Sequence, residues 1–170
     1  PITLTSTTIT GTFADVNTVY AAGANGTITG LGNEAVTVSG LLTVAQANIL
    51  AAQTTGVITA TISDGDMATL AGLNETGNAY TMTVTDASVA ASALNTLNAK
   101  TIAPITLTST TITGTFADVV HAYATNVAGT INGLGNEAIT ISDAITVNEA
   151  NAINALTIGV VTATISDTAM

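Results

Sequence analysis

Residues 1–16 read "PITLTSTTITGTFADV", and residues 104–119 repeat the phrase letter for letter. Aligned at an offset of 103, residues 1–67 and 104–170 agree at 44 of 67 positions. Self-similarity of this kind marks a repeat architecture, in which each unit buries its apolar face against the next. Residues 1–103 therefore read as one complete repeat and residues 104–170 as a partial second copy. The copies diverge where a helix surface or loop tip tolerates change: "NTVYAAGAN" (17–25) against "VHAYATNVA" (120–128), and "GLLTVAQANIL" (40–50) against "DAITVNEANAI" (143–153). A start on Pro1 and a stop partway through the second copy predict a piece of a longer protein.

A shorter rhythm runs inside the repeat. "AVTVSG" (35–40), "VITATISD" (57–64), "AYTMTVTD" (79–86) and "PITLTST" (104–110) alternate apolar residues with Thr or Ser. That period of two predicts strands with one buried face, so Ile58, Ala60 and Ile62 point inward, as do Tyr80, Met82 and Val84. Segments with helical spacing follow: "FADVNTVYAA" (13–22), "TVAQANILAAQ" (43–53), "DMATLAGL" (66–73) and "SVAASALNTLN" (88–98), the last with Val89 and Ala90 on its apolar stripe. Strands end in Ser63-Asp64, Thr85-Asp86, Ser142-Asp143 and Ser166-Asp167, where a carboxylate can cap the helix that follows. Gly32, Gly56 and Gly77 stand before strands, where a left-handed exit suits glycine.

Strand, cap, short helix and glycine exit recur in steps of about 22 to 33 residues, long enough for the crossover a parallel sheet requires. Helices this short do not stand alone in water and need a shared core. The expected fold is a right-handed β/α solenoid with a parallel sheet and four coils per repeat; an all-β parallel β-helix is the second choice. The longest step, through "TTITGTFADV" and "GTITGLGNEA", has room for an extra strand pair.

Composition narrows the function. Apolar residues make up 47% and charged residues 7%, so the polar surface must come from Thr, Asn, Ser and Gly. Net charge is −10, and Lys100 is the one basic side chain. Without Lys or Arg to neutralise phosphates, nucleic acids and anionic membrane surfaces are excluded as partners. No apolar run reaches the length of a membrane span, and the absence of cysteine removes disulfides and thiolate metal sites.

Candidate sites are few. Asp64 and Asp66 flank Gly65, and with Asp86 they are the candidate ligands for a calcium ion bridging adjacent coils. The further oxygen ligands of a calcium loop are missing, so helix capping by Asp64 is the stronger reading and no cofactor is expected. "GLGNEA" (30–35 and 133–138) lacks the lysine of a phosphate loop and leads into a strand, so it reads as a turn. Glu34 and Glu137 occupy equivalent points of the two copies and make no acid–base pair. His121 replaces Thr18 of the first copy and reads as a solvent-facing helix residue. One histidine and no cysteine assemble neither a triad nor a zinc site, so catalysis is not expected.

Threonine carries the sharper signal. Thr59, Thr61, Thr81, Thr83, Thr106 and Thr108 point away from the core, and stacked strands would set them in a grid of roughly 4.8 by 7 Å. Such a grid is similar to the Thr-x-Thr faces of ice-binding solenoids. The competing reading is plain β propensity on a solvated face, with Val57 and Ala79 interrupting the ladder.

The wording of "GLGNEAVTVSG" (30–40), "LTVAQANILAAQTTGVITATISDGDMATLAGL" (42–73) and "TDASVAASALNTLNAKT" (85–101) resembles repeats in giant, repetitive cell-surface and secreted proteins of marine bacteria, of the marine cyanobacterial type. The resemblance covers essentially the whole chain. It implies a location outside the cell or on its surface and a structural, adhesive or shielding role, and it carries over no site residues. The expected function is a structural repeat protein that forms a rod, filament or surface layer by coil stacking and associates end to end with itself or with neighbouring repeats. The alternative is an ice- or surface-binding module that uses the Thr ladders.

Overall fold

The computed structural model describes residues 1–167; positions 168–170, the last three of the second copy, lie outside them. In chain order the elements are β1 (Ile2–Thr3), β2 (Thr8–Gly11), α1 (Phe13–Ala24), β3 (Ile28–Thr29), β4 (Ala35–Leu42), α2 (Val44–Ala51), β5 (Ile58–Ile62) and α3 (Met67–Leu70). They continue with β6 (Ala79–Val84), β7 (Ser88–Ala90), α4 (Ala91–Asn98), β8 (Ile105–Leu107), β9 (Thr111–Gly114), α5 (Phe116–Val127), β10 (Ile131–Asn132), β11 (Ala138–Ile145), α6 (Val147–Asn154) and β12 (Val161–Ile165). The fold is α/β, with parallel sheets and short helices. The helices rule out the all-β alternative.

Three sheets form, in the orders β1-β3, β10-β8-β6-β5-β4-β2 and β12-β11-β9-β7. Every pairing among them is parallel. Register places one apolar side chain over the next: Ile9 on Val36 on Ile58, and Val89 on Ile112 on Ile139 on Val161. Period-2 alternation predicted the inward set, and Ile58, Ala60, Ile62, Tyr80, Met82 and Val84 are all buried. These columns merge with the inner helix faces, such as Val44, Ala47 and Leu50 of α2 and Ala91, Leu94 and Leu97 of α4, into one core.

Two expectations need correction. Most passes of the chain carry two strand arms and not one: β1 and β2 precede α1, β6 and β7 precede α4, and β8 and β9 precede α5. The extra pair foreseen in the longest step is this second arm plus the first arm of the next pass, β2 and β3 in the first copy and β9 and β10 in the second. Ser88–Ala90 is strand β7, not the start of a helix, because Val89 is needed over Ile112 in the second arm. β6 joins the arms, pairing with β5 through Ala79–Thr81 and with β8 through Met82–Val84.

Helix capping also differs from expectation, and it explains how successive passes lock. Every helix except α4 is capped locally by the residue just before it: Thr12, Thr43, Asp66, Thr115 and Thr146 accept from the third helical N–H. The strand-end aspartates instead cap the helix of the preceding pass. Asp64 Oδ2 accepts from Val44 N at 2.7 Å, Asp86 from Met67 N at 2.7 Å, Asp143 from Phe116 N at 2.9 Å and Asp167 from Val147 N at 2.8 Å. The starts of α2, α3, α5 and α6 thus each have two acceptors, a local cap from their own pass and a carboxylate from the next, where free N–H groups and the helix dipole favour them. Replacing Asp64 by alanine should cost about 1 kcal/mol, as the loss of a cap does. Urea melts of the variant should show a lower midpoint with an unchanged slope.

A second lock sits where α2, α4 and α6 hand over to a strand. Thr54 and Thr157 donate to the carbonyls of Glu34 and Glu137 at 2.7 Å and accept from Gly56 N and Gly159 N. Thr101 accepts from Tyr80 N at 2.9 Å and from Ala103 N at 3.0 Å. These three threonines are buried, and their hydroxyls satisfy backbone groups that no ladder reaches. Gly77 has the positive φ expected of an exit glycine, +83°, but Gly56 does not. Gly56 is required by space: a Cβ there would lie 2.2 Å from the Glu34 carbonyl oxygen.

Candidate functional site: a threonine face and a buried tyrosine–glutamate pair

Parallel register turns the alternation into columns. Thr59, Thr61, Thr81, Thr83, Thr106 and Thr108 are all exposed, as the spacing predicts. The structure brings them together in pairs: Thr61 opposes Thr81 with hydroxyls 3.0 Å apart, and Thr83 opposes Thr106. Thr59 opposes Ala79, so its column stops there, and Thr106 is followed by Asn132. Thr108 uses its hydroxyl to bond the Val84 carbonyl at 2.9 Å, which holds it to the backbone. The longer columns are Thr10–Thr37–Thr59, of which Thr59 is the end, and Thr113–Thr140–Thr162. Those positions repeat at the same offset in both copies, a signal legible once the second strand arm is recognised.

The candidate calcium ligands do different work from one another. Asp64 and Asp86 cap helices of two different passes, while Asp66 caps its own helix through Thr69 N at 2.8 Å. The backbone and side chain of Thr69 hold the Asp66 carboxyl below the ordinary range. No group of three His, Asp or Glu side chains close enough to hold a metal occurs among the described residues. His121 lies exposed on α5, as expected.

The spacing makes the glutamates of "GLGNEA" turn residues, and the structure gives them a larger part. Glu34 and Glu137 are each only 1% exposed. Tyr20 donates to Glu34 Oε2 at 3.2 Å and Tyr123 to Glu137 Oε2 at 2.8 Å, fourteen residues apart in both cases. Gly32 N and Gly135 N complete the same oxygens at 2.9 and 2.8 Å. Burial pushes the Glu34 carboxyl up, but the Gly32 N–H, its own N–H and the Tyr20 hydroxyl together outweigh it, and the net is below the ordinary value. Burial first, then the bonded carboxylate, raises Tyr123. Tyr80, buried and near Glu75, is pushed up to about 12. The tyrosines and glutamates recur at the 103-residue offset, which is the trace that sequence reading passed over.

Because folding lowers the Glu34 pKa, the unfolded chain binds the proton first as pH falls. Ionised Glu34 therefore adds stability above its ordinary value of 4.5, and that contribution is lost as pH drops below it. Urea melts from about pH 6 to about pH 3 should show stability falling in this window, and Glu34→Gln should flatten part of the fall.

An open cleft of about 520 Å³ lies beside Tyr20, lined by Gly23, Ile28, Leu31 and Gln53 among others. Its lining presents the Tyr20 and Thr29 hydroxyls and the Gln53 amide, with no Asp, Glu, His or Lys side chain. No protein-family model matches the chain, and no similar curated protein or solved structure was found.

Proposed function

We propose that the chain is a β/α solenoid segment of a structural repeat protein that works outside the cell or on its surface, building a rod, filament or layer by stacking coils. The single observation that carries this reading is a natural comparison within one molecule. Ile2 and Ile105 occupy the same place in the identical phrase, yet Ile2 is 72% exposed and Ile105 is fully buried. The difference is a preceding pass: Ile105 sits beside Met82 of β6, and Ile2 has a neighbour on one side only, Ile28 of β3. A surface that is core when another pass lies on it, and solvent-facing when none does, is what extension by stacking needs.

Other features agree. The strand-end aspartates and the threonine locks bond between passes, so each added pass completes the one before it. A charge-poor but acidic, Thr-rich exterior with net charge −10 suits a molecule that is long, wetted and indifferent to nucleic acid. The resemblance to giant surface proteins of marine bacteria supports the location and the structural role. Catalysis and a bound cofactor form no part of this reading. Oriented films of the protein should diffract at about 4.8 Å along the stacking axis, the spacing of paired strands. Absence of that reflection would contradict the reading.

A second reading draws on the registered columns Thr10–Thr37–Thr59 and Thr113–Thr140–Thr162: an ice- or surface-binding face. Each column spans three strands. Millimolar protein that neither shapes ice nor shows thermal hysteresis would end it.

A further inference from the structure

Two sheet edges, at β1 and β2 and at β12, have equivalents elsewhere in the molecule that a further pass covers. We propose that both take the same occupant: a pass with the sequence of residues 65–103, supplied by another copy of the repeat. This rests on the stacking reading and names the partner its ends select.

The first face is known from its twin. Residues 104–119 carry the same sixteen residues as 1–16, and in this molecule they are covered. Met82 lies on Ile105, Val84 on Leu107 and Val89 on Ile112. Thr108 N bonds the Val84 carbonyl, Thr110 N and Thr111 N bond the Ala87 carbonyl, and Asn95 donates to the Asp118 carbonyl at 3.0 Å. The counterparts Thr5, Thr7, Thr8 and Asp15 are the same residues in the same order, and they are exposed. A surface identical in sequence to one that residues 78–101 already occupy should accept the same pass.

The opposite face is known from the first copy. β12 matches β5, whose next neighbour is β6, with Ala60 beside Tyr80 and Thr61 beside Thr81. Asn48 there donates to the Gly72 carbonyl at 2.8 Å and accepts from Asn74 N at 3.0 Å. Asn151, its equivalent, lines an open groove with Ala150, Asn154, Val161, Ala163 and Ile165. Ile165 is 45% exposed where Ile62 is 4%. The groove thus presents the apolar strand and the paired asparagine contacts that residues 72–84 satisfy in the first copy.

One sequence therefore fits both faces, as the successor of β12 and the predecessor of β1. Two bare copies of this chain would set a β5-type face against a β1-type face, a pairing seen nowhere in the molecule. Joining two chains should need the fourth pass between them.

The test is sedimentation and light scattering of the full chain in three forms: alone, mixed with a synthetic peptide of residues 65–103, and lengthened by residues 68–103 placed after Met170. The chain alone should remain monomeric. The peptide should join chains into polymers, with mass greatest near equal amounts and falling in excess peptide as both faces become covered separately. The lengthened chain should polymerise unaided, and Tyr80→Asp with Val89→Asp in the added segment should abolish joining in either form. The proposal stands if either form joins chains and its doubly substituted version does not. It falls if neither form joins them, if the substitutions make no difference, or if the chain alone polymerises to the same extent. In that last case end-to-end association survives while the selectivity for the fourth pass is lost, and stacking within the chain is read separately by diffraction.

Discussion

Ile105→Ala should destabilise the protein by about 3 kcal/mol, whereas Ile2→Ala should change stability by no more than about 0.5 kcal/mol. The two residues share sixteen identical letters of context, so propensity, capping and turn chemistry cancel between them. What remains is the neighbouring pass. Ile105 pairs with Met82 on one side and Ile131 on the other and is fully buried, so truncation leaves a cavity as well as lost contact. Ile2 pairs with Ile28 alone. Urea denaturation of both variants measures the contrast, and equal losses would mean that the passes do not share a core. A double variant should be close to additive, because the two sites have no partner in common.

Gly56→Ala is the second large effect, at about 3 kcal/mol, the upper end of what overpacking costs. The added methyl would approach the Glu34 carbonyl oxygen to 2.2 Å and its carbon to 2.4 Å. Backbone cannot rotate away as a side chain would, and the same Glu34 carbonyl is held by Thr54. Moving it would also disturb the Tyr20–Glu34 bond. Gly159→Ala meets Glu137 in the same way, at 2.1 Å. Gly26→Ala is the control: its φ is +72° and nothing lies within 4 Å of the new carbon, so only the left-handed backbone opposes it, at about 1 kcal/mol. If all three variants melt alike, the close approach between passes is not what Gly56 is for.

Much of this fold was legible in the letters. The doubled phrase announced the repeat, and alternation at 58–63 and 80–85 identified the buried side of β5 and β6. Less was visible at the corners. Ser88–Ala90 fits helical spacing as well as a three-residue strand, because a run that short cannot distinguish the two periods; Val89 is decided by Ile112, twenty-three residues later. Asp64 reads correctly as a helix cap but for the wrong helix, since sequence distance favours the next one and only the parallel pairing of β4 with β5 puts the previous helix's Val44 N–H within 2.7 Å.

The threonine face shows the same division. Alternation predicted which threonines look outward, and all six are exposed. It could not predict which of them align between strands, because register depends on the lengths of the crossovers. Thr59 therefore ends beside Ala79, while the longer columns form at Thr10–Thr37–Thr59 and Thr113–Thr140–Thr162. The tyrosine–glutamate pairs were hidden for a different reason. A buried glutamate in a glycine-rich turn contradicts composition, and here the Gly32 N–H and the Tyr20 hydroxyl both bond its Oε2.

The most direct test of stacking is the length of tandem arrays. Proteins carrying two, four and eight copies of residues 1–103 should appear by electron microscopy as straight rods of constant width. Their length should increase by about 20 Å per copy, four passes at roughly 4.8 Å each. Beads on flexible linkers, or particles that grow in all dimensions with copy number, would contradict the account.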